Sequence, residues 1–202
     1  MRNDMKWIRG FLLLVSIGFL TGCLSPVKMD SANKYVINKM PCFVPTKKTR
    51  PIILLVSKPE TKAVYNTTQM AYTIKPYQIA YYSLNQWAET PDEMLQPLLV
   101  QTMQKTHHYK AVVTPPYNGL YDYELDTEIV SLLQDYTCRI PVLRMNVRAQ
   151  IIKMSTNRVI ATRDFSVIQP LPQRSPYGGV LAANAATVQI LGKVARFSNK
   201  WM

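Results

Sequence analysis

The stretch Tyr121-Asp122-Tyr123-Glu124-Leu125-Asp126-Thr127-Glu128-Ile129 has the most regular alternation of apolar and polar residues in the chain. Successive side chains of a β-strand point to opposite faces of its sheet. The pattern therefore predicts a strand with one face turned toward a core. Four carboxylates line its other face: Asp122, Glu124, Asp126 and Glu128.

A second alternating segment supplies a partner for this strand. Residues 143–151 place Arg144, Asn146 and Arg148 on the face opposite to their apolar side chains. Because unpaired carboxylates on one face repel each other, we expect cross-strand acid–arginine pairs to neutralise much of the repulsion. The charged stripe is thus interpreted as structural.

The other strands are predicted from apolar runs and turn residues. Ile52–Val56 is a continuous apolar run between Pro51 and Pro59, which is typical of a strand buried on both faces, and we place it at the centre of the sheet. Further strands are predicted at Tyr35–Asn38, Met70–Ile74, Tyr77–Tyr82, Tyr109–Val113 and Arg158–Val167, with hairpin turns at Lys75-Pro76 and Thr156-Asn157.

Two helices are predicted to cover the sheet. The first begins at Thr90-Pro91-Asp92-Glu93, where Thr90 can cap the helix and Glu93 can reach back. It ends near His107, and Pro97 is expected to bend it or delay its start. The second begins near Tyr177 and carries one apolar stripe: Leu181, Val188, Leu191 and Ala195. The fold class is therefore α/β (α+β), with a mixed or mainly antiparallel sheet covered by two helices.

The N-terminal segment resembles the precursor of a bacterial lipoprotein. Basic residues precede a short apolar run, Phe11 to Leu20, which suits a secretory signal and is too short to span a bilayer comfortably. Leu20-Thr21-Gly22-Cys23 then resembles a lipobox. We expect removal of the signal peptide, residues 1–22, and a thioether-linked diacylglyceride on Cys23. The alternative is a plain secretory signal or an N-terminal membrane helix.

The residues after the lipobox predict where the anchor places the protein. Residues 23–33 are interpreted as a lipidated tether and residues 34–202 as one domain, a length that suits a single core. Leu24 is not the aspartate that is associated with retention in the inner membrane. We therefore expect attachment to the outer membrane, on its periplasmic face.

The net charge limits the classes of partner, and the cysteine content raises the question of a disulfide. Without residues 1–22 the chain has 21 basic and 11 acidic residues, a net charge of +10. Such a surface suits anionic lipid headgroups or an acidic protein, and the predicted compartment argues against nucleic acid as a partner. The alternative is a solvated face that aids solubility. Cys42 and Cys138 remain beside the lipidated Cys23, and they form either a disulfide or two buried free thiols.

One block carries a family resemblance: Tyr81-Tyr82-Ser83-Leu84-Asn85-Gln86-Trp87-Ala88-Glu89-Thr90-Pro91-Asp92-Glu93-Met94-Leu95. It resembles the ABC-type transport auxiliary lipoprotein family, which includes the paraquat-inducible auxiliary lipoproteins. Asn184-Ala185-Ala186 and the late Trp201 are similar to the closing helix of that family. The resemblance implies a non-catalytic component of an MCE-type ABC system for lipid transport between membranes, with an MCE-domain protein as partner.

One alternative to this role stays open: an outer-membrane lipoprotein that assists lipopolysaccharide assembly or activates a peptidoglycan synthase. Self-association into a homo-oligomer is compatible with the transport role, since a ring of copies would suit a tubular partner. Tyr81, Tyr82 and Trp87 are the candidate partner or lipid surface, and packing in the core is the competing interpretation.

Enzyme and metal chemistry are not expected. His107-His108 has no cysteine or acidic ligand at a useful local spacing, and the dipole at the end of a helix explains the pair better than a metal does. The segment after Cys23 contains four glycines and no phosphate-binding loop, nucleophile elbow or metalloprotease helix. We predict no catalytic residue, cofactor or metal site.

Overall fold

A computed structural model of the protein describes residues 31–202. In that part of the chain nine strands form one mixed sheet, and two helices pack on it and on each other. The strands are β1 Asn33–Tyr35, β2 Arg50–Val56, β3 Glu60–Thr61, β4 Gln69–Thr73, β5 Ala80–Trp87, β6 Tyr109–Val113, β7 Tyr123–Asp135, β8 Val142–Lys153 and β9 Arg158–Pro170. The helices are α1 Pro91–Lys105 and α2 Pro176–Trp201. The predicted fold class is confirmed.

Strand β7 organises the sheet. One edge pairs along its length with β8, antiparallel, and β8 pairs in turn with β9. The other edge pairs in succession with β2, β3 and β4, all parallel. Strand β6 lies beyond β2, while β5 and then β1 lie beyond β4. The apolar strand β2 is therefore interior, as expected, but the centre of the sheet is β7.

The alternation in β7 matches its burial and then changes phase. Leu125, Thr127 and Ile129 are buried, and the carboxylates between them are partly exposed. A register irregularity between Ile129 and Ser131 shifts the pairing with β8. Beyond it Leu132 and Gln134 are buried instead. Because a bulge of this kind interrupts the period of two, the sequence pattern predicted only the first half of the strand.

Helix α1 begins where its capping sequence predicts. The Glu93 carboxylate accepts a hydrogen bond from the Thr90 backbone N–H at 3.2 Å, and the helix ends at Lys105. Pro97 lies inside the helix and does not delay its start. The buried face of α1 includes Leu95 and Leu99.

Helix α2 corrects one detail of the prediction. Its start is confirmed, and the Ser175 hydroxyl accepts a hydrogen bond from the Gly178 N–H at 3.0 Å. Leu191 is fully buried, but Leu181 is 37% exposed. The core-facing stripe consists mainly of small or branched residues: Ala183, Ala186, Thr187, Ile190, Val194 and Ala195. Small side chains let the helix approach the sheet closely, so the large residue at position 181 was a poor guide to its buried face.

The N-terminal predictions fall largely outside the described residues. The signal peptide, the lipobox and Cys23 all lie in residues 1–30, so their assignment stays a prediction. The first strand, β1, begins two residues before the predicted segment and shares only Tyr35 with it; it pairs with the outer edge of β5. None of the helices in residues 31–202 is long and apolar enough to cross a membrane.

Candidate functional site

The aromatic residues of the family block lie in different environments in the structure. Trp87 is 3% exposed and belongs to the core. Tyr82 stacks on Tyr72 with 4.3 Å between ring centroids, and its hydroxyl donates to the Tyr136 hydroxyl at 2.9 Å. Burial, together with that hydroxyl, raises the pKa of Tyr82, so it stays neutral. Tyr81 is exposed. Tyr81 and Tyr82 point to opposite faces of β5. A register irregularity in the pairing of β4 with β5 lies between residues 81 and 86, so Trp87 does not share the exposure of Tyr81. The three predicted residues therefore do not form one partner surface.

Exposed apolar side chains gather instead at the turn between β4 and β5. Ile74, Tyr77 and Ile79 are exposed there, as is Ile140 in the turn between β7 and β8. A cavity of about 360 Å³ joins the first turn to the end of β7. The backbone N–H of Tyr136 donates to the Thr73 carbonyl at 2.9 Å, which holds the two segments together. We call Ile74, Tyr77, Ile79 and Ile140 the tip surface.

A basic groove lies between β9 and the second half of α2. Its volume is about 650 Å³, and four cations line it: Arg163, Lys193, Arg196 and Lys200. The Lys200 ammonium lies 5.8 Å from the Trp201 ring centroid, and the Arg163 guanidinium lies 5.5 Å from that of Phe165. Asp164 is the carboxylate of the groove, and Arg148 already binds it at 2.9 Å. The groove is therefore suited to an anionic ligand or an acidic protein segment.

The groove runs along an open sheet edge. Strand β9 pairs with β8, and no strand formed by residues 31–202 pairs with its other side. The Lys193 ammonium donates to the Ser166 carbonyl at 3.1 Å and covers one backbone acceptor. Unpaired backbone groups on an edge strand can bind an added strand from a partner.

The acidic row of β7 is only partly neutralised. Arg148 binds Glu128 at 3.2 Å, as the cross-strand prediction requires. Arg144 instead binds Asp135 at 2.7 Å, beyond the register irregularity, so this pairing was predicted wrongly. Burial, followed by the nearby Glu60 and Glu124 carboxylates, raises the pKa of Asp126. The row is consequently a partly compensated acidic patch, in which Glu128 is paired and Asp126 faces other carboxylates.

Asn184, from the predicted closing helix, fixes the segment that follows β1. Its side-chain oxygen accepts hydrogen bonds from the N–H groups of Asn38 and Lys39 at 3.0 and 3.1 Å. Its amide donates to the Val36 carbonyl at 3.0 Å. Asn184 is 7% exposed. One buried side chain therefore holds the chain that leads from the tether against α2, a role that the sequence did not reveal.

The cysteines and histidines form no shared site. Cys42 is exposed and Cys138 is half-buried, and both are free thiols. The structure therefore shows neither the disulfide nor the pair of buried thiols that the sequence left open. The Cys138 sulfur lies 3.7 Å from an Arg144 nitrogen at the β7–β8 turn, whereas Cys42 lies in the segment bound to α2. Within residues 31–202, no group of three or more His, Cys, Asp or Glu side chains could hold a metal ion.

His108 corrects the interpretation of the histidine pair. It is 3% exposed, and its Nδ1 lies 3.3 Å from the Lys48 carbonyl oxygen. Burial lowers the pKa of the imidazole, with nearby Lys47 and Arg50 acting in the same direction. His108 is therefore neutral near pH 7 and is not a cation bound to a helix dipole.

Two solved structures share the fold of this protein. The crystal structure of a Xanthomonas campestris protein, described by the DUF330 family model, superposes on this protein with a TM-score of 0.75. The two sequences are 20% identical, and the match covers 84% of this chain and 95% of the Xanthomonas chain. A second crystal structure, of an uncharacterized protein, is 14% identical over 84% of this chain and 99% of its own, with a TM-score of 0.66. No curated protein gave a significant match.

A family model matches most of the domain. The match extends over residues 35–195 and is described as the ABC-type transport auxiliary lipoprotein component. It includes the block from Tyr81 to Leu95 and the Asn184 segment, so the resemblance read from those residues is confirmed. The chain belongs to the family of ABC-type transport auxiliary lipoprotein components.

Proposed function

We propose that the protein is a non-catalytic docking component of an MCE-type ABC system for intermembrane lipid transport. It is held through lipidated Cys23 on the periplasmic face of the outer membrane and binds the periplasmic end of an MCE-domain protein. The observation that carries this proposal is the family match over residues 35–195, which associates the chain with an ABC transport system. The lipobox at residues 20–23 supports the anchor.

The basic groove is the surface that we assign to the partner. It combines four cations, an exposed indole and the open edge of β9, and these features suit an acidic segment that adds along the edge. Anchoring in the membrane raises the effective concentration of the groove near the partner. A weak contact in the groove is then sufficient for docking.

Site-specific crosslinking in cells tests this proposal. A photoreactive residue replaces Trp201 in the groove, and a matched variant carries it at exposed Leu84 on β5. We expect an MCE-domain protein to be crosslinked from position 201 and not from position 84, as identified by mass spectrometry. Recovery of lipopolysaccharide-assembly proteins or cell-wall synthases alone would contradict the transport role and favour the alternative function.

A further inference from the structure

The direction of β1 shows where the tether leaves the domain. Strand β1 runs parallel to β5, with Asn33 beside Asn85 and Tyr35 beside Trp87. Strand β5 starts at Ala80, next to the β4–β5 turn. The chain that enters β1 therefore comes from the side of that turn, which is the tip surface. The Asn184 hydrogen bonds to residues 36–39 fix the exit on the other side of β1.

The length of the tether limits which surface can face the anchor. Ten residue steps separate Cys23 from Asn33, and a fully extended chain covers at most about 3.5 Å per step, or about 35 Å. Strand β7 has 13 residues and is about 40 Å long at about 3.3 Å per residue. Asn33 lies in the part of the sheet near the end of β7 at Asp135. Leu120 lies at the far end, so the tether would have to reverse direction to place it on the membrane.

The chemistry of the tip surface matches a lipid headgroup region. Its exposed aliphatic and tyrosine side chains are accompanied by three exposed cations: Lys75, Arg139 and Arg174. The Arg174 guanidinium lies 5.5 Å from the Tyr136 ring centroid, which places the loop before α2 at the same end. The segments 74–80, 136–141 and 172–177 contain no aspartate or glutamate. Apolar and aromatic side chains combined with cations are typical of surfaces that bind anionic membranes.

We propose that the tip surface lies in the headgroup region of the membrane that carries the anchor, with Tyr77, Ile79 and Ile140 against the lipid. The occupant is a bilayer that contains anionic phospholipid. Strand β7 then stands with its Asp135 end at the membrane and its Tyr123 end away from it. The proposal rests on the anchoring of Cys23 that is part of the proposed function.

Fluorescence quenching tests the orientation directly. The lipidated protein, purified from membranes, is reconstituted in vesicles of phosphatidylethanolamine and phosphatidylglycerol with acyl chains brominated near the headgroup. Tyr77→Trp reports on the tip surface, and Leu120→Trp, also strongly exposed, reports on the far end. The parent protein gives the background from Trp87 and Trp201. We expect the added indole at position 77 to shift to shorter wavelength and lose most of its emission, while that at position 120 does neither.

A charge variant tests whether the tip cations bind anionic lipid or whether residue 77 is only held near the bilayer by the anchor. Lys75→Glu, Arg139→Glu and Arg174→Glu, combined with Tyr77→Trp, should reduce the quenching at position 77 when phosphatidylglycerol is present. Lys110→Glu, Lys153→Glu and Arg158→Glu also reverse three exposed cations. They are the matched control and should leave the quenching unchanged. Equal quenching at positions 77 and 120, or quenching only at 120, overturns the proposal. A parent protein that does not float with vesicles overturns the anchored function itself, and with it this orientation.

Discussion

Asn184 is the single residue whose loss should disturb the N-terminal segment most. Asn184→Ala leaves three backbone groups of residues 36–39 without their partner. We expect the free energy of unfolding to fall by about 2 kcal/mol, because partly buried polar groups lose hydrogen bonds. Denaturant unfolding measures the loss, and limited proteolysis should show faster cleavage between residues 36 and 45.

A graded variant controls for the change in side-chain volume. Asn184→Asp keeps the oxygen that accepts from Asn38 and Lys39 but removes the amide that donates to Val36. We expect it to be less stable than the parent, because the second carboxylate oxygen would face the Val36 and Val180 carbonyl oxygens with no proton to donate. Equal stabilities for all three proteins would show that the hydrogen bonds do not hold the segment.

Asp126 should make the fold less stable as it ionises. Its folded-state pKa is raised above 3.8 by burial and by the Glu60 and Glu124 carboxylates, so the folded protein binds the proton more tightly than the unfolded chain does. The destabilisation is absent below the unfolded pKa and appears as the pH rises through the raised folded pKa. Asp126→Asn should therefore raise the stability at pH 7 by a few tenths to about 1 kcal/mol, as expected for relief of a like-charge contact on a sheet.

The neighbouring Glu128 provides a control of opposite sign. Glu128 is bound by Arg148 at 3.2 Å, so Glu128→Gln removes a partly exposed ion pair and should lower the stability by less than about 1 kcal/mol. Thermal unfolding between pH 3 and pH 7 distinguishes the two variants, since the advantage of Asp126→Asn should disappear at the acidic end. A stabilising effect that is constant with pH would contradict the assigned cause.

Among the elements, α2 depends on glycine where it approaches the rest of the chain. A Cβ atom at Gly179 would overlap the side chain of Gln134, which is 1% exposed, and one at Gly178 would overlap the Gln173 carbonyl. Gly179→Ala should therefore destabilise the protein by about 1–3 kcal/mol through overpacking. Gly192 is in the same helix, but its Cβ would meet only an Arg196 nitrogen at 3.7 Å. Gly192→Ala should stabilise by about 0.5–1 kcal/mol through helix propensity.

Each glycine variant adds one methyl group to the same helix, at a different position. Chemical denaturation of both variants therefore isolates the effect of position. If Gly179→Ala were as stable as Gly192→Ala, the close contact between α2 and β7 would be wrong. The family block and the capping sequence at α1 gave no sign of this contact. It depends on which strand lies under the start of α2, and no local pattern in the sequence contains that information.

The elements that were predicted well share a local cause. The start of α1 follows from Thr90 and Glu93, and the β8–β9 turn follows from Asn157, whose φ of 48° suits a turn asparagine. The elements that were predicted poorly depend on tertiary pairing. Strand β3 has two residues and exists because Glu60 and Thr61 lie beside β7, and Arg144 changed partner because the irregularity in β7 brought Asp135 to it.

The candidate surfaces show the same division. The sequence showed the net positive charge, but the cations of the basic groove come from β9 and from the second half of α2, about thirty residues apart. Tyr81, Tyr82 and Trp87 are close in the sequence, but the pleat of β5 separates Tyr81 from Tyr82, and the register irregularity between residues 81 and 86 separates Tyr81 from Trp87. A surface built from distant segments becomes visible only when the sheet register is known.

At the scale of the whole molecule, the tip surface and the basic groove should act independently. The tip cation Arg174 precedes the first turn of α2, whereas three groove cations lie on the second half of the helix: Lys193, Arg196 and Lys200. The two surfaces are therefore near different ends of this helix. Lys193→Glu, Arg196→Glu and Lys200→Glu should abolish the crosslink from position 201 to the MCE-domain protein and leave retention on vesicles unchanged, because charge reversal in the groove opposes an acidic partner. The three tip variants, Lys75→Glu, Arg139→Glu and Arg174→Glu, should reduce contact with anionic lipid and preserve the crosslink.

Both sets reverse three cations, so the change in net charge is the same, and none of the six cations forms an ion pair with another residue of the segment 31–202. Each should therefore change the stability by less than about 1 kcal/mol, which circular dichroism and thermal unfolding can verify. Losses of crosslinking and of lipid contact that depended only on net charge would appear equally in both sets. That result would indicate a general electrostatic attraction and not two separate surfaces. If the groove variants lose only the crosslink and the tip variants lose only the lipid contact, the membrane is assigned to one end of the molecule and the protein partner to the other.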